Sequence, residues 1–480
     1  MVRTPLPLTL FCGALAALPL AGCTVGPDYK RPTPAVADQW IEPATPGTLE
    51  TAWWQRFGDP LLATLIDEAL ADSPTAREAT ARVLEARAGE AAVRGSALPG
   101  VEASGTAVRD RLSENGELPL KSLQSIPGFQ REFSLFDAGF DASWEIDLWG
   151  QKRREREAAH ARVEAAEAGL REARLMLAGE IARAYIEMRQ AQAAEADART
   201  LAGADDALAR LTALLAQAGD ASTMEKERAA AAAGLSHDRL VQAQALARGA
   251  AYRVAALTGR PPEALIARLA APAPIPAAPD AIVTGLRSDL LRRRPDVAVA
   301  ERQLAAATAD IGVAKGDLFP HFTLVGGIGR QARNAGDLTS ADSTRFVIGP
   351  SFSWPVFAGG QVRAGIRAAD ARAQAAAARY DQAIANALAD SESAINRFLR
   401  ARERAAVAER ALADEQAAFA RTQALVTRGE TDRLVLEQAR KALVQARSGA
   451  DNARAERALA AAALFKALGG GWGEAPAPAP

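Results

Sequence analysis

Residues 136–148 alternate without a fault. Ala138, Phe140, Ala142, Trp144, Ile146 and Leu148 fall on one side, and Asp137, Gly139, Asp141, Ser143, Glu145 and Asp147 on the other. A period of two is the mark of a strand with one apolar and one polar face. At Gly150 the pattern stops. From Gln151 to Gln217 the chain has no proline and is dense in Ala, Glu, Arg and Leu, a composition suited to helix. At 1.5 Å per residue such a helix reaches about 100 Å, more than an ordinary globular core accommodates. A strand of about 9–11 residues crosses a bilayer. The stretch therefore predicts a membrane strand that continues into a long rod, and the fold class α+β membrane protein.

Composition narrows the function classes. The formal net charge is −1 over 480 residues, which gives no basic surface for nucleic acid. Hydrophobic residues make up 49% and aromatics only 5%; the difference is mostly alanine, suited to closely packed helices. Past the N-terminal segment no apolar run reaches the roughly 18 residues of a transmembrane helix, so any membrane crossing falls to strands. Arg3, the apolar run Thr9 to Pro19 and the box Leu20-Ala21-Gly22-Cys23 read as a secretory signal with a lipobox. Residues 1–22 are expected to be removed, leaving Cys23 as an acylated N-terminus. Cys12 leaves with the signal, so the mature chain holds one cysteine and no internal disulfide.

Residues 24–50 are rich in proline and read as an extended tether. A short amphipathic segment from Trp53 to about Ala71 follows, then a helix from Pro74 that Pro99 stops. Val101 to Val108 alternates weakly, with Ala103, Gly105 and Ala107 against Glu102, Ser104 and Thr106, and is a second strand. After the long helix, Ala218-Gly219-Asp220 is a turn, and a helix returns from Ser222 to Leu257. Residues 261–279 read as a Pro/Ala-rich linker. Then the pattern restarts. At an offset of 221, Pro74, Gly95 and Pro99 match Pro295, Gly316 and Pro320. At 210, Phe136, Gly139, Trp144, Gly150, Gln151 and Gly219 match Phe346, Gly349, Trp354, Gly360, Gln361 and Gly429. The chain is an internal repeat, each half contributing a helix, two strands, a long helix, a turn and a returning helix. In the second half Phe322, Leu324 and Ile328 share a face, as do Phe346, Ile348, Phe352, Trp354 and Val356; Gln361 to about Arg428 is its long helix and Thr431 to Leu468 the return. The expected divisions are 1–22 signal, 23–71 acylated tether and equatorial segment, 72–260 first repeat, 261–292 linker, 293–468 second repeat and 469–480 tail.

Four strands cannot close a membrane barrel, whose smallest single-chain form has about eight, and open edges are not tolerated in lipid. Strands of identical subunits must therefore complete one barrel around a wet lumen. Asp137, Asp141, Glu145 and Asp147 are then lumen-facing strand residues. Read as catalytic carboxylates instead, three of them would have to alternate strictly with lipid-type side chains, which a lumen wall explains better. His160, His237 and His321 are scattered without a second ligand at metal spacing. Gly326-Gly327-Ile328-Gly329 lacks the following helix of a dinucleotide loop. No phosphate loop or nucleophile elbow occurs, so no catalytic residue, metal or cofactor is expected.

Four segments now carry a resemblance: Cys23…Gly26-Pro-Asp-Tyr-Lys-Arg-Pro32, Trp53-Trp54…Phe57-Gly-Asp-Pro60, Glu145-Ile-Asp-Leu-Trp-Gly150 and Ser288-Asp-Leu-Leu-Arg-Arg-Arg-Pro-Asp-Val297. In this order they resemble the outer-membrane efflux lipoproteins of the NodT/OprM type, within the TolC superfamily, over nearly the whole mature chain. The resemblance implies a homotrimer in outer-membrane lipid, a twelve-stranded barrel and an α-helical tunnel through the periplasm. It also implies a periplasmic adaptor and an inner-membrane pump, typically of the resistance-nodulation-division type, that make the channel a passive conduit for drugs or other small molecules. The alternative is export of metal ions or service in a type I-like secretion system. The hairpin tips, Leu211–Met224 and Thr422–Leu434, would meet the adaptor, with Leu211, Leu215, Gly219, Leu425 and Gly429 as contacts. Many relatives follow the tip glycine with a Ser-x-Leu-Asp-Val-Leu-Asp-like run that constricts the tunnel. This chain departs from it, with Val435, Glu437 and Gln438 after Gly429 and Glu225 and Glu227 after Gly219. Glu225 and Glu437 are thus the candidate constriction residues.

Overall fold

The computed structural model describes residues 24–34, 36–37, 39–43, 45, 47, 50–113, 127 and 129–470. Residues 1–23, where the expected signal and Cys23 fall, and 471–480 lie outside them. The chain forms two compact units, and both halves of the sequence contribute to each. The first draws on Met1–Arg31, Ala86–Val163 and Gln303–Ala377, the second on Pro32–Glu85, Glu164–Arg302 and Ala378–Pro480.

In order, the elements are α1 (Pro60–Asp72), α2 (Pro74–Gly95), β1 (Gly100–Arg111), β2 (Glu132–Ile146), α3 (Gln151–Ala218), α4 (Thr223–Leu257), α5 (Pro262–Ala270), α6 (Arg287–Arg293), α7 (Pro295–Gly316), β3 (His321–Ala332), β4 (Thr344–Ser353), α8 (Gln361–Thr427) and α9 (Arg433–Ala467). A 3₁₀ turn over Trp53–Phe57 precedes α1. Among the described residues no helix is long and apolar enough to cross a membrane.

The first unit holds one antiparallel sheet in the order β1-β2-β3-β4, which leaves β1 and β4 as its edges. Residues directly opposite share a face, so the register fixes both faces. Phe140 lies across from Ala103 on one side and Ile328 on the other, and Ile328 in turn from Phe346. The even positions of β2 thus join one continuous apolar face.

The second unit has the large core. Trp53 is fully buried and stacks on Phe465 with centroids 5.2 Å apart. Leu62, Leu65 and Ile66 of α1, Ile181 and Tyr185 of α3 and Phe398 of α8 belong to the same cluster. Outside that cluster the long helices bury mainly alanine, as at Ala158, Ala168, Ala387 and Ala450.

Two sequence expectations need correcting here. The segment 261–279 is no plain linker, because α5 forms inside it. Pro261 and Pro262 occupy its N-cap and first turn, where proline is tolerated, and Leu265 and Leu269, one helical turn apart, are buried. The described residues of the segment 24–50 are bound rather than free. Trp40 Nε1 donates to Gly285 O at 2.9 Å and Thr284 N to Thr45 O at 2.9 Å.

Candidate conduit surfaces

The sheet of the first unit presents its apolar face to the surroundings. Phe346 is 78% exposed and Ile348 75%, with Phe140, Ile328, Phe352 and Val101 also open. A contiguous patch of this kind marks a surface that water does not cover.

The opposite face is polar and internally bonded. Arg345 makes a two-pronged contact with Asp137, Nε to Oδ2 at 2.8 Å and Nη2 to Oδ1 at 2.6 Å, and Gln331 Nε2 donates to Asp137 Oδ2 at 3.0 Å. Ser104 Oγ donates to Asp141 Oδ2 at 2.9 Å. Glu102 sits directly across from Asp141, a like-charge pair that is destabilising without water to screen it. Glu145 Oε1 lies 2.8 Å from His321 Nδ1, and Lys152 Nζ 3.7 Å from Glu145 Oε2. Sequence reasoning missed His321, Arg345 and Ser104 as partners on this face; the pairing register was needed to find them.

Asp147 differs from its three neighbours. The strand ends at Ile146, and the Asp147 carboxylate accepts the backbone N–H of Arg153 at 2.9 Å. The first-turn amides of a helix have no intrahelical acceptor, and Asp147 supplies one. It is not a strand residue but a support for the start of α3.

The hairpin turns of the second unit match bond for bond. Asp220 N donates to Leu215 O at 2.8 Å and Glu430 N to Leu425 O at 2.9 Å. Gly219 and Gly429 both take positive φ, +85° and +75°, the left-handed closure of a helix end. Leu215 and Leu425 therefore carry the acceptors that shape each tip. The helices that leave the tips are capped differently. Ser222 and Glu225 form a reciprocal box, Glu225 N to Ser222 Oγ at 3.2 Å and Ser222 N to Glu225 Oε2 at 2.7 Å. The backbone and hydroxyl donors of Ser222 hold the Glu225 carboxyl below its ordinary range. In the other hairpin Asp432 caps alone, accepting from Val435 N at 2.9 Å. Glu437 is buried and pairs with Arg440 at 3.1 Å.

Further along the hairpins, two buried aspartates of α3 bind α9. Lys441 Nζ reaches Asp205 Oδ1 at 2.5 Å and Arg447 Nε reaches Asp197 Oδ1 at 2.6 Å. Ser236 of α4 donates to the other oxygen of Asp205. Burial pushes the Asp197 carboxyl up, against the pull of Arg447. Among the described residues no group of three or more His, Cys, Asp or Glu side chains is placed to hold a metal ion.

A family model described as outer membrane efflux protein matches residues 65–260 and 286–470. The chain is similar to the pyoverdine export outer membrane protein OpmQ of Pseudomonas aeruginosa, 30% identical over 422 residues that make up 88% of this chain and 87% of that one. It is also similar to the cation efflux system protein CusC of Escherichia coli, 28% identical over 98% of this chain and 99% of that one. The solved structure of the outer-membrane channel OprN superposes with a TM-score of 0.82 over 94% of this chain and 100% of that one, at 34% identity.

Proposed function

The chain belongs to the outer membrane efflux protein family, and from that footing we propose that it is the outer-membrane channel subunit of a tripartite efflux system. The observation that carries this reading is the four-stranded sheet with two edges unpaired among the described residues, one exposed apolar face and one ion-paired polar face. In hydrocarbon, unpaired edge groups cost several kcal/mol each. Three copies supply twelve strands, an even number within the known range of membrane barrels. The apolar face meets lipid and the polar face, with Asp137, Asp141 and Glu145, lines the lumen.

Cys23 carries the lipid that holds the N-terminus in the outer membrane. The tips around Gly219 and Gly429, with Leu211, Leu215 and Leu425, dock a periplasmic adaptor; of the two candidate constriction residues, Glu225 stays exposed at its tip, while Glu437 is buried against Arg440 and brings no free charge to the passage. An inner-membrane pump of the resistance-nodulation-division type supplies the energy, and the conduit itself is passive. Relatives of nearly equal identity are named for pyoverdine export and for cation efflux, so similarity does not choose the cargo.

Two neighbouring residues test the reading. Phe140 is mid-strand on the apolar face and Asp141 on the polar one. Phe140→Arg moves a charge toward hydrocarbon, at a cost of about 2–4 kcal/mol near the midplane, and should abolish the detergent-resistant trimer in outer membranes. Asp141→Arg places the same charge in water and should leave the trimer intact. Equal loss in both variants, or the reverse order, contradicts the assignment.

A further inference from the structure

Two of the sequence segments that carry the family resemblance, far apart in the chain, meet in the first unit. Arg154, one turn into α3, is only 3% exposed and points at the segment 24–28. Its Nε donates to Val25 O at 3.0 Å and its Nη2 to Gly26 O at 3.3 Å and to Asp28 Oδ1 at 2.6 Å. The remaining nitrogen, Nη1, donates to Glu157 at 2.7 Å, which holds the guanidinium in place. Val25 N donates to Trp149 O at 3.0 Å, so the segment is bonded from both sides. Trp149 is itself fixed, stacked on Phe319 with centroids 4.9 Å apart and donating from Nε1 to Pro320 O at 2.9 Å.

The fit leaves no room for side chains. A Cβ on Gly26 would stand 2.4 Å from Gly312 Cα in α7, and the φ of Gly26 is +94°. A Cβ on Gly150 would stand 2.9 Å from Thr24 Cα. A merely tethered segment has no need of such close backbone contact on two sides.

We propose that residues 24–28 are a clasp that fixes the acylated N-terminus to the junction of β2 and α3, so that its lipid enters the bilayer beside the Ile146 end of the apolar face. This rests on the reading of Cys23 as the lipid attachment site. Two Cα–Cα steps of about 3.8 Å each separate the anchor residue Cys23 from Val25, which is bonded to Trp149 and Arg154 at the junction of β2 and α3. An unclasped proline-rich segment of this kind, at about 3.1 Å per residue, would let the lipid wander over tens of ångströms. The clasp thus sets the depth and position of the anchor relative to the sheet. The partner is the periplasmic leaflet of the membrane.

The test is a nitroxide on Lys30→Cys, an exposed position just past the clasp, in the full chain in outer membranes. The clasped segment should give an immobilised spectrum. Arg154→Ala and Gly312→Val, which act from α3 and α7, should each abolish the immobilised component. Asp28→Ala removes one bond from the segment itself, where it cannot unfold the helices, and should reduce that component. In all three, labelled fatty acid should still enter the chain and the trimer band should persist. An immobilised spectrum that survives both Arg154→Ala and Asp28→Ala, or a mobile spectrum in the parent, overturns the clasp. Immobilisation that depends on Arg154 without any fatty acid incorporation overturns the lipid reading of Cys23, and with it the anchoring role.

Discussion

Trp53 is the side chain around which the second unit packs. It is fully buried, with its ring against Phe465 and edge-on to Trp54 and Phe57. Beside it, Asp59 caps α1 by accepting from Leu61 N at 2.9 Å and Leu62 N at 3.0 Å, and its other oxygen accepts the Tyr185 hydroxyl at 2.8 Å. Burial, with the Asp59 bond, pushes the Tyr185 hydroxyl up to about 12, despite the opposing pull of Arg189. The Trp-Trp…Phe-Gly-Asp-Pro segment is therefore a plug and a cap in one. Trp53→Ala should destabilise the protein by about 3–5 kcal/mol, the usual cost of truncating a buried aromatic; denaturant unfolding of the detergent-solubilised protein, compared with the parent, measures it. At this scale the sequence is legible in kind and not in partner. The alternation around Asp147 marks a residue that faces water, yet only the fold shows its carboxylate beneath the amide of Arg153. Glu225 likewise reads as an acidic residue near a tip, while its bonds are to Ser222.

Elements were more legible than single contacts, because length and periodicity average over many residues. Gln151–Ala218 and Gln361–Thr427 follow directly from two proline-free runs. The weak alternation after Val101 is a strand whose Ala103, Gly105 and Ala107 fall on the apolar face. The helix Pro262–Ala270 escaped because prolines crowd its surroundings and outweigh a brief Leu265, Leu269 spacing. The offset of the two sequence halves reappears in hydrogen bonds that no pattern announces. Trp144 Nε1 donates to Ala97 O at 3.0 Å and Trp354 Nε1 to Leu318 O at 3.1 Å. At the tips, Gly219 and Gly429 hold left-handed backbone that costs other residues about 1–2 kcal/mol. Replacing both with valine should weaken crosslinking to the adaptor and lower efflux while the trimer remains in the membrane. Unchanged crosslinking and export would show that the adaptor docks elsewhere.

For the whole molecule the decisive fact is that the sheet is unfinished. Among the described residues its order leaves the outer edges of β1 and β4 unpaired, and its apolar face is open while its polar face is tied by Arg345 and Asp137. A chain so built is stable in a membrane only when copies of itself supply the missing neighbours and water fills the space they enclose. Everything then turns on which side of β2 is wet. That is tested most directly by a scan of single cysteines through positions 138–146, each reacted in intact outer membranes with a membrane-impermeant maleimide. With the odd side wet, positions 139, 141, 143 and 145 should be modified and the even positions between them protected. Modification without a two-residue period, or with the even positions reactive and the odd ones protected, would contradict it.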